Sequence, residues 1–229
     1  QKSNWVKVIY QLVQKYGLQE IWMDEQVVRQ GQQEGKTERE LKQVLENLIY
    51  KQVQKVEEVE WKIDVESKPK LRTYRTFKTS LEQEFYLLSE KNKMGRYILT
   101  GLRTGTNRLR IETGRWKRPR EAVEERVCLS CMDGEVEDEK HFMLHCRAHE
   151  ALRDKMFQDI CTVSQGKYNL AQADQELKWQ VLMKGGEGIF RQPILECVKN
   201  FARVAMGRRT VVYQWSDDRR INELSLCIF

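Results

Sequence analysis

Cys128-Leu-Ser-Cys131 is followed, after nine residues, by His141-Phe-Met-Leu-His145-Cys146. Two cysteines two residues apart, then a histidine, then a further thiol or imidazole four or five positions on, is ligand spacing for one tetrahedral zinc ion. Zn²⁺ is borderline-soft, and a closed structural site surrounds it with four sulfur and imidazole ligands. Between the two halves, Met132-Asp-Gly-Glu135 supplies a tight turn, where Gly134 can take a positive φ without steric penalty. The expected ligands are Cys128, Cys131, His141 and Cys146. His145 competes for the fourth position, because His141 and His145 lie four apart on one helical face. The thiolate is preferred, since His145 then becomes a surface residue at little cost. Cys161, Cys197 and Cys227 sit singly in apolar surroundings, as inert core thiols do. Four protein ligands leave no open position for a catalytic water, so the metal is expected to be structural and the chain no enzyme.

A second chemistry precedes the first. Residues 68–120 hold fifteen Lys or Arg against four acids, a local charge of +11 in a chain whose total is +6. Tyr74, Phe77, Tyr86, Tyr97 and Trp116 are scattered among these cations, so nucleic-acid bases could find both phosphate partners and stacking surfaces. Thr104-Gly-Thr-Asn-Arg-Leu-Arg-Ile-Glu-Thr-Gly-Arg-Trp-Lys-Arg-Pro-Arg120 adds glycines for close backbone approach, hydroxyls, and arginines whose planar fork grips phosphate. Residues 103–120 are expected to form an exposed arm on a nucleic-acid backbone. The candidate contacts are Lys70, Arg72, Arg75, Lys78, Arg103, Arg108, Arg110, Arg115, Trp116, Lys117 and Arg118. The blander alternative is a solvated basic surface. About six phosphate contacts would make log affinity fall with log salt at a slope of about −4 to −5.

Residues 121–150 reverse the sign, with nine acids and three bases. A knuckle that gripped phosphates itself would carry cations around its metal. The knuckle is therefore expected to be a brace that folds back near the basic arm, with acids on a surface that tolerates charge reversal.

The elements that must position these groups read as mostly α. Ser3 can cap a first helix carrying Trp5, Val8, Ile9, Leu12, Val13 and Tyr16, closed by Gly17. A short segment around Ile21, Trp22, Val27 and Val28 and a soft linker over 30–35 follow. Thr37 with Glu40 makes a capping box for a long amphipathic helix over 37–63, whose stripe from Leu41 to Val59 needs a partner surface. Beyond the break at residues 67–70, one helix is expected around Leu81, Phe85 and Leu88, and another around Met94 to Leu102. After the knuckle, helices are expected near 148–160, around Leu177 to Leu182 ending at Gly185, and from Ile189 to about Tyr213 with Pro193 in the first turn. Trp215-Ser-Asp-Asp-Arg219 lacks a third carboxylate and reads as a polar turn rather than a polymerase metal site. The expected organisation is an N-terminal helical segment (1–66), a basic helical region with a Gly/Arg-rich arm (67–120), a CCHC zinc knuckle (121–150) and a C-terminal helical region (151–229).

With 40% apolar residues the chain can build a core, and three prolines with abundant Glu, Lys, Gln and Leu favour helix. No apolar run approaches a membrane span, and no secretory signal opens the chain. The thiols are therefore expected in a reducing compartment, nuclear or cytoplasmic. A first residue other than methionine points to a fragment or a processed piece.

The stretches Lys70-Leu-Arg-Thr-Tyr-Arg-Thr-Phe-Lys78, Arg108-Leu-Arg-Ile-Glu-Thr-Gly-Arg115, Glu125-Arg-Val-Cys-Leu-Ser-Cys131 and Glu135 to Cys146, in that order, resemble the region downstream of the reverse transcriptase in non-long-terminal-repeat (LINE-type) retrotransposon polyproteins. The similarity covers roughly residues 65–160. It implies a zinc-binding region after the polymerase thumb, with Cys128, Cys131, His141 and Cys146 as ligands, that grips element RNA or target DNA during target-primed reverse transcription. The polymerase and endonuclease motifs of such polyproteins are absent, so no catalysis carries over. RNA or DNA is the expected partner, with no membrane and no small-molecule substrate. The rival reading is a protein-docking module that uses helix 37–63.

Overall fold

Capping chemistry sets the helix ends in the computed structural model, which describes the backbone of residues 4–23 and 25–214 and the side chains of residues 5–21 and 29–209. The Ser3 cap, the side chains of Trp22, Val27 and Val28, Cys227 and the tail at 215–219 lie outside the described residues. The described residues are mostly helical, and their only β-pairing is an isolated antiparallel bridge between Val127 and Val136. No helix among them is long and apolar enough to cross a membrane.

The chain divides into two compact units, Gln1–Ser67 and Lys68–Phe229. The first holds α1 (Asn4–Lys15), α2 (Gln19–Met23), α3 (Glu25–Gln33) and α4 (Glu38–Ser67). Glu40 accepts from the Thr37 amide at 2.7 Å while the Thr37 hydroxyl accepts from the Glu40 amide at 3.4 Å, the reciprocal pair that starts α4. The expected linker over 30–35 is helical as far as Gln33. Polar tethers join α1 to α4: Lys15 reaches Glu57 and Glu60, and Gln52 donates to the Tyr16 carbonyl. Only Gly31 and Val65 are buried among the described side chains of this unit, while Trp5, Tyr10, Tyr50 and Ile63 stand exposed.

The second unit contains α5 (Arg72–Phe77), α6 (Phe85–Ser89), α7 (Lys93–Thr104), α8 (Arg110–Thr113), α9 (Glu150–Val163), α10 (Gln175–Lys184) and α11 (Arg191–Gln214). Asn92 caps α7 through the Met94 and Gly95 amides, and Asp174 caps α10 through the Leu177 amide. Leu81 lies outside any helix, and α6 is a single short turn starting at Phe85. One apolar core runs from Phe77 through Leu99, Leu109, Phe142, Ile160 and Trp179 to Ala205. The basic, acidic and C-terminal stretches therefore share one interior.

Charge enters that interior only with partners, whether carbonyls and a ring or an opposite charge. Arg103 is 1% exposed; it donates to the carbonyls of Leu99 and Met183 and lies over the Tyr86 ring at 4.6 Å. Burial lowers its pKa to about 10, so it stays charged at neutral pH. Glu90, also buried, accepts from Lys199 of α11 at 2.6 Å and from the Asn92 amide at 2.8 Å. The Lys199 ammonium holds the Glu90 carboxyl below the usual glutamate range, with burial opposing. A depressed folded-state pKa gives stability that is present above the unfolded value of about 4.3 and is lost as pH falls through the folded value. Glu90→Gln should therefore cost about 1–3 kcal/mol in urea unfolding at pH 7, with the gap to the parent protein narrowing as pH falls below about 4.3.

Candidate metal centre and the basic face beside it

The hairpin that carries Cys128 and Cys131 is pinned by two backbone bonds, Cys128 N–H to Glu135 O at 2.8 Å and Glu137 N–H to Arg126 O at 3.0 Å. Its turn places Gly134 at φ +76 with open space around it, so the glycine is required by dihedral rather than by packing. The Asp138 carboxylate then caps the next turn by accepting from the His141 amide at 2.8 Å. That turn, His141–His145, is a π-helix, closed by a bond from Cys146 N–H to His141 O at 2.7 Å.

The π-turn decides which group joins the cluster. On a regular α-helix the residue four positions on shares a face with His141, whereas a five-residue step falls well off it. Widening the turn by one residue brings position 146 to the face that 145 would have held. Cys146 is buried and His145 exposed. The Sγ atoms of Cys128, Cys131 and Cys146 and a His141 ring nitrogen lie within 4.8 Å of one another, close enough to hold a metal ion.

His141 is held from behind. Its Nε2 lies 3.4 Å from Cys131 Sγ, and its Nδ1 lies 3.0 Å from Glu135 Oε2. A carboxylate on Nδ1 fixes the tautomer that leaves Nε2 to a metal. Burial pulls the His141 pKa down, but hydrogen bonds with Cys128 and Glu135 outweigh it, and the net shift is upward. The Cys128 thiol is pushed up to about 12 by its bond with Cys146 and by burial, and Cys146 is drawn down by the same bond. Burial raises Cys131. The third histidine, His149, is buried edge-on against Phe142 at 5.3 Å, and burial lowers its pKa.

The stretch expected to be an exposed arm is largely interior. From Arg103 to Gly114 only Thr106 is exposed, and full exposure begins at Trp116. The reason is packing and pairing together. Leu109 and Ile111 enter the core, and Arg110 between them meets carboxylates from the acidic stretch. Arg110 grips Glu121 with both oxygens within 2.7 Å, and its amide donates to Glu137 at 2.8 Å. Arg72 bridges Glu112 and Glu139, each at 2.7 Å, and Glu139 also accepts from Asn107 and Thr73. Burial raises the Glu139 carboxyl, and Arg72, Asn107 and Thr73 oppose that shift. Glu137 forms a two-pronged ion pair with Arg209 of α11. The tight glycines follow the same logic: a Cβ on Gly105 would sit 2.5 Å from Lys70 O, and one on Gly114 would sit 2.5 Å from Glu121 Oε2. Their close approaches are to this chain itself.

The remaining candidates divide. Arg103 belongs to the core, Lys78 pairs with Glu84 at 2.8 Å, and Arg75 donates to the Leu71 and Lys68 carbonyls. Arg108 is half-buried. Lys70 is 48% exposed and lies 3.9 Å from Glu112, and Arg115 lies 3.4 Å from the same carboxylate. Trp116, Lys117, Arg118 and Arg120 are exposed. Glu137 and Glu139 are each 1% exposed, so they are not the tolerant surface acids expected. Sequence reasoning missed the pairing of Glu112, Glu121, Glu137 and Glu139 with the arginines and the role of Glu135. The adjacent +11 and −6 blocks were the available signal.

Cys146→Ala should abolish stoichiometric metal in elemental analysis, while His145→Ala should retain it. Glu135→Ala should weaken metal affinity about 10- to 100-fold in a chelator competition. No family model, curated protein or solved structure matches the chain, so a functional reading rests on how these side chains are arranged.

Proposed function

We propose that this chain is a non-catalytic nucleic-acid-binding module whose basic face is braced by a structural Zn²⁺ on Cys128, Cys131, His141 and Cys146. Zinc suits the donor set: with Zn–S near 2.3 Å and Zn–N near 2.0–2.1 Å, a tetrahedron has S···S edges of about 3.8 Å and S···N edges of about 3.6 Å. The Cys128–Cys146 and Cys131–His141 separations are 3.8 and 3.4 Å. Three thiols and one imidazole fill a closed site. The ion would supply a cross-link between the hairpin and the π-turn.

The observation that carries the nucleic-acid reading is the convergence of Lys70, Arg72 and Arg115 on the single Glu112 carboxylate. It joins residues 68–75 and 115–120, far apart in sequence, into one surface with more cations than Glu112 and Glu139 neutralise. The hairpin reaches this surface through Glu139 on Arg72, which is how a metal cross-link would stiffen it. On the resemblance described above, the partner is element RNA or target DNA and the setting is nuclear or cytoplasmic. With the buried arginines withdrawn, about four phosphates are contacted, so the slope of log affinity against log salt should be about −3 to −4. Oligonucleotide binding that vanishes on chelation and returns with zinc supports the reading; no binding in dilute buffer, with or without zinc, overturns it.

A second reading is favoured by the first unit. Its helices leave Trp5, Tyr10, Tyr50, Val59 and Ile63 exposed, the surface of a protein-docking element. Concentration-dependent association lost on Val59→Glu/Ile63→Glu would support that role.

A further inference from the structure

The loop at residues 115–120 is closed and pinned from below. The Glu121 amide donates to Gly114 O at 3.2 Å, which seals the ends. Buried Arg126 donates to Ile111 O at 2.8 Å and to Glu121 O at 2.7 Å, while Arg110 holds the Glu121 carboxylate. Gly114 lies so close to Glu121 and Arg126 that no larger residue fits without displacing them. The base of the loop is therefore built into the core-facing network, and its tip is not.

The tip carries Arg115, Trp116, Lys117, Arg118 and Arg120, with no acid among its six residues. Trp116 is 59% exposed and contributes nothing to the apolar core. Lys117 leans on Glu121 at 2.9 Å, whereas Arg118 and Arg120 make no ion pair among the described residues. Burial first, then the nearby charges of Arg120 and Arg115, lowers the Arg126 pKa, a sign of like charges crowded at the loop's foot. An indole 59% exposed on a braced loop, with cations on either side of it in the chain, suits a ligand that offers a flat π-face and several anions together.

We infer that the 115–120 loop is a seat for single-stranded nucleic acid, in which one unpaired base stacks on Trp116 and the flanking phosphates meet Lys117, Arg118 and Arg120. Duplex offers base edges in its grooves and keeps its faces stacked inside, so it can use the cations but not the indole. An acidic peptide satisfies the cations and leaves the indole bare. The inference rests on the nucleic-acid reading above and narrows its partner to a strand with exposed bases.

Fluorescence anisotropy of the full zinc-loaded chain with a labelled oligodeoxythymidine, a blunt duplex of equal charge and a poly-glutamate peptide tests this. Trp116→Ala should weaken single-strand binding about 5- to 150-fold, the range of one stacked base, and leave duplex binding unchanged. Trp116→Phe should recover most of the loss, and a Lys117/Arg118/Arg120 triple glutamine variant should weaken both nucleic acids. Equal effects of Trp116→Ala on strand and duplex, or none on either, overturn the inference while leaving nucleic-acid binding intact. Binding of the glutamate peptide as tight as that of the oligonucleotide overturns it too. Failure of every variant and the parent to bind either nucleic acid removes the underlying reading instead. Melting temperature confirms that the exposed substitutions leave the fold unchanged.

Discussion

The second unit depends on carboxylates that are buried only because guanidinium groups meet them. Glu112, Glu137 and Glu139 are each about as hidden as the core leucines. An isolated ionised carboxylate there would cost several kcal/mol of desolvation, more than a single neutral hydrogen bond returns. Arg72 and Arg209 offset that cost with short, charge-assisted bonds, and Asn107, Thr73 and the Arg110 backbone amide take up further lone pairs. Such a network adds little net stability over an apolar interior of the same volume. Its effect is on register: an oxygen pair that fits one guanidinium fork does not fit a neighbour one residue along.

Glu137 shows how far one group can extend this. Its carboxylate receives the Arg110 amide and the Arg209 side chain, its backbone pairs with Arg126 and Ile111, and Cys128 Sγ lies 3.7 Å from its other oxygen. The hairpin, α8 and α11 meet at that residue. Displacement of the hairpin is thereby felt at the far end of the longest helix of this unit.

Much of this was legible beforehand, and the division follows the range of the interactions. The clustering of Cys128, Cys131, His141 and Cys146, the Thr37–Glu40 capping box, the left-handed Gly134 and Pro193 in the first turn of α11 are local patterns, spelled out within a few residues. The fate of Arg103 and Arg110 was not local. A run of arginines beside glycines looks the same whether it faces water or faces carboxylates supplied from residues 112–139. Opposite charge in adjacent blocks was visible and suggested that the knuckle folds back near the arm, but not that single arginines and carboxylates would pair in the interior. α3 runs into the expected linker because Gln30, Gln32 and Gln33 are good helix formers and a single Gly31 among them does not break the helix.

The widened turn at His141–His145 reaches beyond the cluster. Phe142, Met143 and Leu144 follow one another into the interior, and their bearings are set by a coil carrying one residue more than a regular helix would. Relaxing that coil to ordinary pitch would carry Cys146 off its three partners and turn the aromatic and thioether groups beside it by tens of degrees. The geometry of the thiol–imidazole cluster and the packing of this part of the hydrophobic interior are thus a single phase choice along the backbone.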